Sequence, residues 1–365
     1  MLRIEFHNRE KEIREIKRIL NADPTLITFI YGPINSGKTE LINHLVRNLP
    51  TEYRVFYVNL RGIFVKSYEE FLDALFEIDE DKKLVNAKEY AKAALTDLGK
   101  IVSGIPIPIS LFEKMFEKRE RSKDAFKYIE NFFVEITKKY IPVLIIDELQ
   151  VIGDLKVDDL LIYKLFNFFV RLTKELHLAH VFAITSDSLF IEKVYSEAML
   201  QGRCRYLLVD DFDKNTTIDF LGRYGFNDKE KEIAWHYCGG KPVGLLELIN
   251  TENKEEKVKE MLMLRNGEIE TRLKIIKELG DEITIESKSY AVSYEKLVSA
   301  LKKFVNRTEI NMNEIDEISK RYLVKKNILF VDSLKKLIKT QSRLDLLAIR
   351  ELMINDLHSH NRDSE

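Results

Sequence analysis

Leu26-Ile27-Thr28-Phe29-Ile30-Tyr31-Gly32-Pro33-Ile34-Asn35-Ser36-Gly37-Lys38-Thr39-Glu40-Leu41-Ile42-Asn43-His44-Leu45-Val46 is the stretch from which the rest of the chain is read. Its first six residues are apolar, β-branched or aromatic and too few for a helix, so they predict a buried strand. Its last part places Leu41, Ile42, Leu45 and Val46 on one helical face. Between them Gly32, Pro33, Ile34, Asn35, Ser36, Gly37, Lys38 and Thr39 spell a phosphate loop. A triphosphate needs backbone N–H groups converging on its oxygens, and glycines at both ends let the chain wrap that closely. The helix starting near Gly37 adds its positive end. Lys38 then reaches the β- and γ-phosphates, and the Thr39 hydroxyl ligates Mg²⁺. The expected ligands are ATP and Mg²⁺.

Working outward, Ile141-Pro142-Val143-Leu144-Ile145-Ile146-Asp147-Glu148 is an apolar run that delivers an acid at its end. It predicts a buried parallel strand with Asp147 at the mouth of the sheet, where a carboxylate holds the Mg²⁺ shell opposite Thr39. Glu148 stands where a base polarises the attacking water. Arg54-Val55-Phe56-Tyr57-Val58-Asn59-Leu60 predicts a further strand between the two motifs, closing on the polar step Arg61-Gly62. A strand inserted there, with an acid after Asp147, points to P-loop ATPases that carry a catalytic glutamate. His180-Val181-Phe182-Ala183-Ile184 predicts a fourth strand. Its polar tip Thr185-Ser186-Asp187, Ser186 foremost, has two readings, a sensor of the attacking water or γ-phosphate or a helix N-cap made by Ser186 or Asp187. Arg203, beside Gly202 and ahead of a fifth strand at Tyr206-Leu207-Leu208-Val209, is a candidate for stabilising transition-state charge, in its own chain or a neighbour's. The fold class expected is α/β, a P-loop parallel sheet with helices on both faces.

Helices are expected through Phe71, Leu72, Leu75 and Phe76, then to Leu98, from Lys123 to Lys139 and from Leu160 to Leu176. Ile105-Pro106-Ile107-Pro108-Ile109 reads as an extended edge strand or a loop. Beyond the sheet, Asn215 to Tyr224, Asp228 to Tyr237 and a segment from Leu245 predict an all-α lid, and Lys254 to Leu279 a long charged helix. Gly280 to Tyr290 reads as irregular. Helices at Tyr294 to Val305 and Met312 to Lys326, two strands around a turn at Asp332-Ser333, and a closing helix at Leu344 to Met353 predict a winged helix-turn-helix. The domains expected are residues 1–212, 213–280 and 281–357, with residues 358–365 a disordered tail.

Composition narrows the classes. The 365 residues carry 32% charged and 45% hydrophobic side chains, with 58 basic against 60 acidic residues and a net charge of -2. That balance argues against a globally basic nucleic-acid binder. No apolar run approaches the ~20 residues that span a bilayer, and Met1-Leu2-Arg3-Ile4-Glu5-Phe6 lacks the apolar core of a signal peptide. The expectation is a cytoplasmic protein. Cys204 and Cys238 are isolated and read as packing residues in a reduced compartment. No Ser, His and Asp grouping supports a peptidase.

Phe6-His7-Asn8-Arg9-Glu10-Lys11-Glu12, the phosphate loop, Ile145-Ile146-Asp147-Glu148, Gly202-Arg203 and Gly239-Gly240-Lys241-Pro242 together resemble the archaeal ATPase family, of the signal-transduction ATPases related to AAA+ proteins. The resemblance covers residues 1–250 with specific motifs and the remainder in outline. It implies a P-loop core, a helical lid and a winged helix. It also implies that Phe6 and Arg9 border the adenine and that Pro242 lies over the base. The loop departs from many relatives in carrying Pro33-Ile34-Asn35, positions that contribute mainly backbone. Two functions follow: an ATPase whose hydrolysis drives the C-terminal region, or a nucleotide-dependent regulator or adaptor with incidental turnover. Positive charge gathers at Lys320, Arg321, Lys325, Lys326, Lys335 and Lys336 rather than at the start of the second winged-helix helix, where Asn313 to Glu317 is acidic. DNA is therefore allowed but placed behind protein docking or self-association.

Overall fold

The computed structural model describes residues 4–61, 65, 67–80, 87–117, 121–152, 161–196, 200–285 and 288–362. Gly62 and Leu160 lie outside the described residues. The chain divides into two units, one of residues 1–31, 38–186 and 194–208, the other of residues 32–37, 187–193 and 209–365.

The first unit contains α1 (Glu10–Leu20), β1 (Ile27–Tyr31), α2 (Lys38–Arg47), β2 (Tyr53–Asn59), α3 (Tyr68–Leu75), β3 (Phe76–Asp79), α4 (Ala87–Asp97), β4 (Ile101–Ser103), β5 (Ile105–Pro108), α5 (Ile109–Glu117), α6 (Arg121–Ile136), β6 (Ile141–Asp147), α7 (Leu161–Val170) and β7 (His180–Thr185). It closes with β8 (Cys204–Leu208), reached through α8 (Ser188–Ser196). Six strands form one sheet in the order β4-β2-β6-β7-β1-β8, and every pairing in it is parallel. A parallel sheet buried on both faces needs continuous apolar strands. β1 and β7 are buried at every residue, and β6 from its second residue on. Aromatic packing thickens the core: the Phe56 ring lies 5.1 Å from Phe133, and Phe29 lies 5.8 Å from Phe166.

The second unit begins with three lid helices, α9 (Lys214–Arg223), α10 (Asp228–Cys238) and α11 (Pro242–Ile249), followed by the long α12 (Lys254–Leu279). Their starts are locally encoded. Asp213 and Asn227 accept from the N–H three residues on, and Pro242 opens α11 where its missing N–H costs nothing. A hairpin of β9 (Glu282–Ile285) and β10 (Lys288–Ala291) follows. The winged helix then contains α13 (Tyr294–Lys302), β11 (Glu309–Asn311), α14 (Glu317–Lys325), β12 (Leu329–Asp332), β13 (Leu337–Thr340) and α15 (Arg343–Arg362). Its strands form an antiparallel sheet ordered β11-β13-β12. Leu297, Leu301, Phe304, Leu329, Ile338, Ala348 and Ile349 are fully buried in its core.

Several expectations need correction. The helix expected through Phe76 stops at Leu75, and Phe76 opens β3, because β3 pairs in parallel with β5 in a separate sheet. The Ile-Pro alternation is that extended edge strand, since Pro106 and Pro108 have no N–H to give a second neighbour. Among the described residues, Gly280 to Tyr290 contains paired strand: Tyr290 pairs with Ile283, and Ser289 with Thr284. The helix from Met312 breaks at Ile315, and Asp316 caps α14 anew by accepting from Ser319 N–H at 3.1 Å. The tail expected from His358 is helical to Arg362.

His180, at the start of β7, is 3% exposed. Burial, and then the nearby Arg205 charge, lower its pKa from 6.5 to about 4. Above pH 6.5 folded and unfolded chains are both neutral there. As the pH falls through this window the unfolded chain takes a proton that the folded chain refuses, so stability falls. The loss should reach about 3 kcal/mol near pH 4. His180→Asn should flatten urea-unfolding stability between pH 6.5 and 4; an unchanged pH slope would rule the group out.

Candidate nucleotide site

In the first unit, strand register gathers the polar tips. Asn59 pairs with Asp147, Ile146 with Ala183, and Tyr31 with Thr185, so the carboxyl ends of β1, β2, β6 and β7 share one edge. Ligands of open α/β sheets bind at this edge. Asp147 is 2% exposed and is held by three donors. Thr39 Oγ1 donates to its Oδ2 at 3.0 Å, Tyr57 Oη to the same oxygen at 2.7 Å, and the Glu148 N–H to Oδ1 at 2.9 Å. Burial, and then the Asp147 charge, push the Tyr57 phenol well above its ordinary range. Lys38, the first residue of α2, is buried at 5% exposure.

Adjacent ligands of an octahedral Mg²⁺ stand about 2.9 Å apart. The two oxygens of Thr39 and Asp147, 3.0 Å apart, fit such a hard cation.

Glu148 lies in the left-handed region at φ 61, which a non-glycine residue rarely adopts. Its carboxylate is engaged on both oxygens. Arg61 Nε donates to Oε1 at 3.2 Å and Arg61 Nη2 closes an ion pair with the same oxygen, while Gln150 Nε2 donates to Oε2. Gln150 in turn accepts from Thr185 Oγ1 at 2.7 Å. A relay thus runs from the tip of β7 to the end of β2.

Phe6 stacks on the His44 ring of α2 at 3.9 Å. Arg9 is 6% exposed and pairs with Glu12 at 3.1 Å.

Gly32 to Gly37 belong to the second unit and are shaped there. A Cβ at Gly32 would meet Val209 O at 2.1 Å, so only glycine fits. Ser36, fully buried, donates its hydroxyl to the same carbonyl at 2.7 Å. Gly37 turns the chain at φ 90. Pro242 is the first residue of α11, and Lys241 before it is 6% exposed.

Asp187, not Ser186, caps α8: its Oδ1 accepts from Leu189 N–H at 2.8 Å. The polar group that β7 contributes to the Glu148 relay is Thr185. Arg203 stands at the other end of the sheet. Its carbonyl accepts from Ile27 N–H at 3.1 Å, at the amino end of β1. The five residues of β1, roughly 16 Å of strand, separate it from the carboxyl edge. Sequence reasoning missed Tyr57 and Gln150, and within the polar tip Thr185-Ser186-Asp187 it singled out Ser186 rather than Thr185. Tyr57 had a signal, since it lies two residues before Asn59 on the same face of β2. Gln150 had none.

The chain matches a family model described as ATPase domain predominantly from Archaea over residues 6–248, and one for the C-terminal domain of uncharacterized ATP-binding protein MJ1010-like over residues 255–353. It is 45% identical over 360 residues to the uncharacterized ATP-binding protein MJ1659 of Methanocaldococcus jannaschii, spanning 96% of this chain and 98% of that protein. It is 44% identical to uncharacterized ATP-binding protein PYRAB06260 of Pyrococcus abyssi, spanning 95% and 98%. Among solved structures it is similar in fold to the Walker-type ATPase paby2304 of Pyrococcus abyssi. There the TM-score is 0.56 at 16% identity, over 94% of this chain and 96% of that one.

Tyr57→Phe tests the anchoring of Asp147. Loss of this part-buried hydrogen bond to a carboxyl oxygen should lower unfolding stability by about 1–2 kcal/mol. A change below about 0.5 kcal/mol would mean the phenol does not carry that oxygen.

Proposed function

The chain belongs to the family of ATPase domains found predominantly in Archaea, and we propose that this ATP-binding protein is a Mg²⁺-dependent ATPase whose nucleotide state drives its lid and winged helix. The contact of Thr39 with Asp147 at 3.0 Å, one residue beyond the buried Lys38, carries the proposal. In this reading the amides of Gly32 to Thr39 wrap the phosphates, and the Lys38 ammonium pairs with the β- and γ-oxygens. Thr39 and Asp147 would hold Mg²⁺, which neutralises charge developing on the phosphates. Glu148 accepts the proton of the water attacking the γ-phosphorus as ADP leaves. Phe6, Arg9 and Pro242 border the adenine, and Arg203 acts on a neighbouring copy. The division we propose is residues 1–212 for the nucleotide core, 213–280 for the lid and 281–357 for the winged helix.

The engagement of Glu148 by Arg61 and Gln150 favours a second reading, a nucleotide-dependent switch with little turnover. A base so held must be released before it takes a proton.

The surface charges weigh against DNA. Lys320 is 4% exposed and pairs with Glu192 and Glu317, Arg321 pairs with Glu317, and Lys335 with Asp332. We favour a protein partner or self-association through the C-terminal region.

Turnover of ATP with Mg²⁺, alone and with double-stranded DNA, separates these readings. Lys38→Ala should abolish nucleotide binding. Glu148→Gln should keep binding and lose at least ~100-fold in turnover, while Arg61→Ala should raise it. Tight ATP binding with no turnover in any of these proteins would replace the ATPase by the switch, and DNA-stimulated turnover would replace the protein partner by DNA.

A further inference from the structure

Ile34, near the tip of the phosphate loop, has both of its backbone polar groups taken by side chains from distant parts of the second unit. Its N–H donates to Gln341 Oε1 at 3.1 Å, and its carbonyl accepts from Lys241 Nζ at 3.0 Å. Gln341 follows β13 in the winged helix and is 3% exposed. It has no slack: Nε2 donates to Leu329 O at 3.1 Å, and its own N–H donates to Ile328 O at 2.9 Å. These bonds fix which end of the amide faces the loop. Lys241 is held in turn by Asp211 at 2.9 Å. Beside this grip lies a cavity of about 230 Å³, lined by Ile34, Asn35, Lys241, Arg265, Gln341 and Asp345.

We propose that Gln341 is a positioning residue for the phosphate loop, through which the winged helix and the nucleotide sense each other. The proposal rests on the reading that Gly32 to Thr39 binds nucleotide. Asn35 is left-handed at φ 59, a conformation that Asn can adopt but that a free chain populates only in part. The bonds on either side of Ile34 hold the backbone beside it. A loop already shaped for phosphate loses less freedom on binding, so the grip raises affinity. Linkage makes the effect reciprocal: whatever factor the grip adds to nucleotide affinity, nucleotide adds to the docking of Gln341. A single amide thereby couples the winged helix to nucleotide occupancy, with no movable charge needed.

The test uses the full chain and fluorescent ADP and ATP analogues. Gln341→Met, which removes the acceptor at similar volume, should weaken both nucleotides about tenfold, the loss of one hydrogen bond. It should also abolish nucleotide-induced protection from hydrogen exchange over residues 329–341. Ser188→Ala is the control. Ser188 Oγ accepts from Val331 N–H at 3.1 Å, a more deeply buried bond to the same sheet that does not touch the loop. It should leave affinity unchanged. Lys241→Met, freeing the other side of Ile34, should weaken binding in the same direction and gives a second reading should Gln341→Met fail to fold. Equal losses in Gln341→Met and Ser188→Ala, or wild-type affinity in Gln341→Met while Lys38→Ala abolishes binding, would overturn the proposal and leave the nucleotide site standing. A wild-type chain that binds neither nucleotide would instead sink the reading on which it rests.

Discussion

Parallel pairing of β6 between β2 and β7 is the constraint on which the first unit's chemistry depends. It brings Asn59 level with Asp147 and Ala183 level with Ile146, so three strands end together. A carboxyl group at 2% exposure needs hydrogen-bond donors for its oxygens. The shared register supplies them from different elements: Thr39 from the first turn of α2, Tyr57 from β2, and the Glu148 N–H from the chain just beyond. A slip of one residue in β2 would turn Tyr57 to the opposite face and remove a donor from the oxygen it shares with Thr39.

The same arrangement explains why Glu148 is strained. Its N–H is committed to Asp147, and the chain leaves β6 at φ 61 to make that bond. The turn aims the Glu148 carboxylate along the sheet edge, where Arg61 after β2 and Gln150 meet it. A left-handed non-glycine residue costs about 1 kcal/mol or more. Its bonds to Asp147 at the end of β6, to Arg61 just after β2 and to Gln150, itself held by Thr185 of β7, offset it.

Much of this was legible in the sequence, for reasons that differ by element. β1, β6 and β7 are runs of apolar residues with no alternation, and only a sheet covered on both faces asks for that. Gly32 and Gly37 were legible because a carbonyl approach and a left-handed turn exclude side chains. What was not legible depends on long-range pairing. Phe76 has the apolar face of α3, yet its partner Ile105 decides that it is a strand. Tyr290 and Ile283 belong to a hairpin whose residues are mostly exposed, so no hydrophobic period marked them. The end of the sheet that Arg203 occupies was not legible either, because its neighbours in sequence do not specify it.

Charge counting failed at Lys320 for the same reason that it holds around Ile34. The cation of Lys320 is cancelled by Glu192 and Glu317, residues that a scan for basic clusters does not weigh. At Ile34, Lys241 is cancelled by Asp211, and Gln341 is neutral. The grip on the loop therefore adds almost no net field. The attraction for an anion stays with the loop's own amides and Lys38, as phosphate binding at a helix start requires. Contacts of this kind change the shape of the loop without changing its charge, so their influence on nucleotide affinity is screened little by salt.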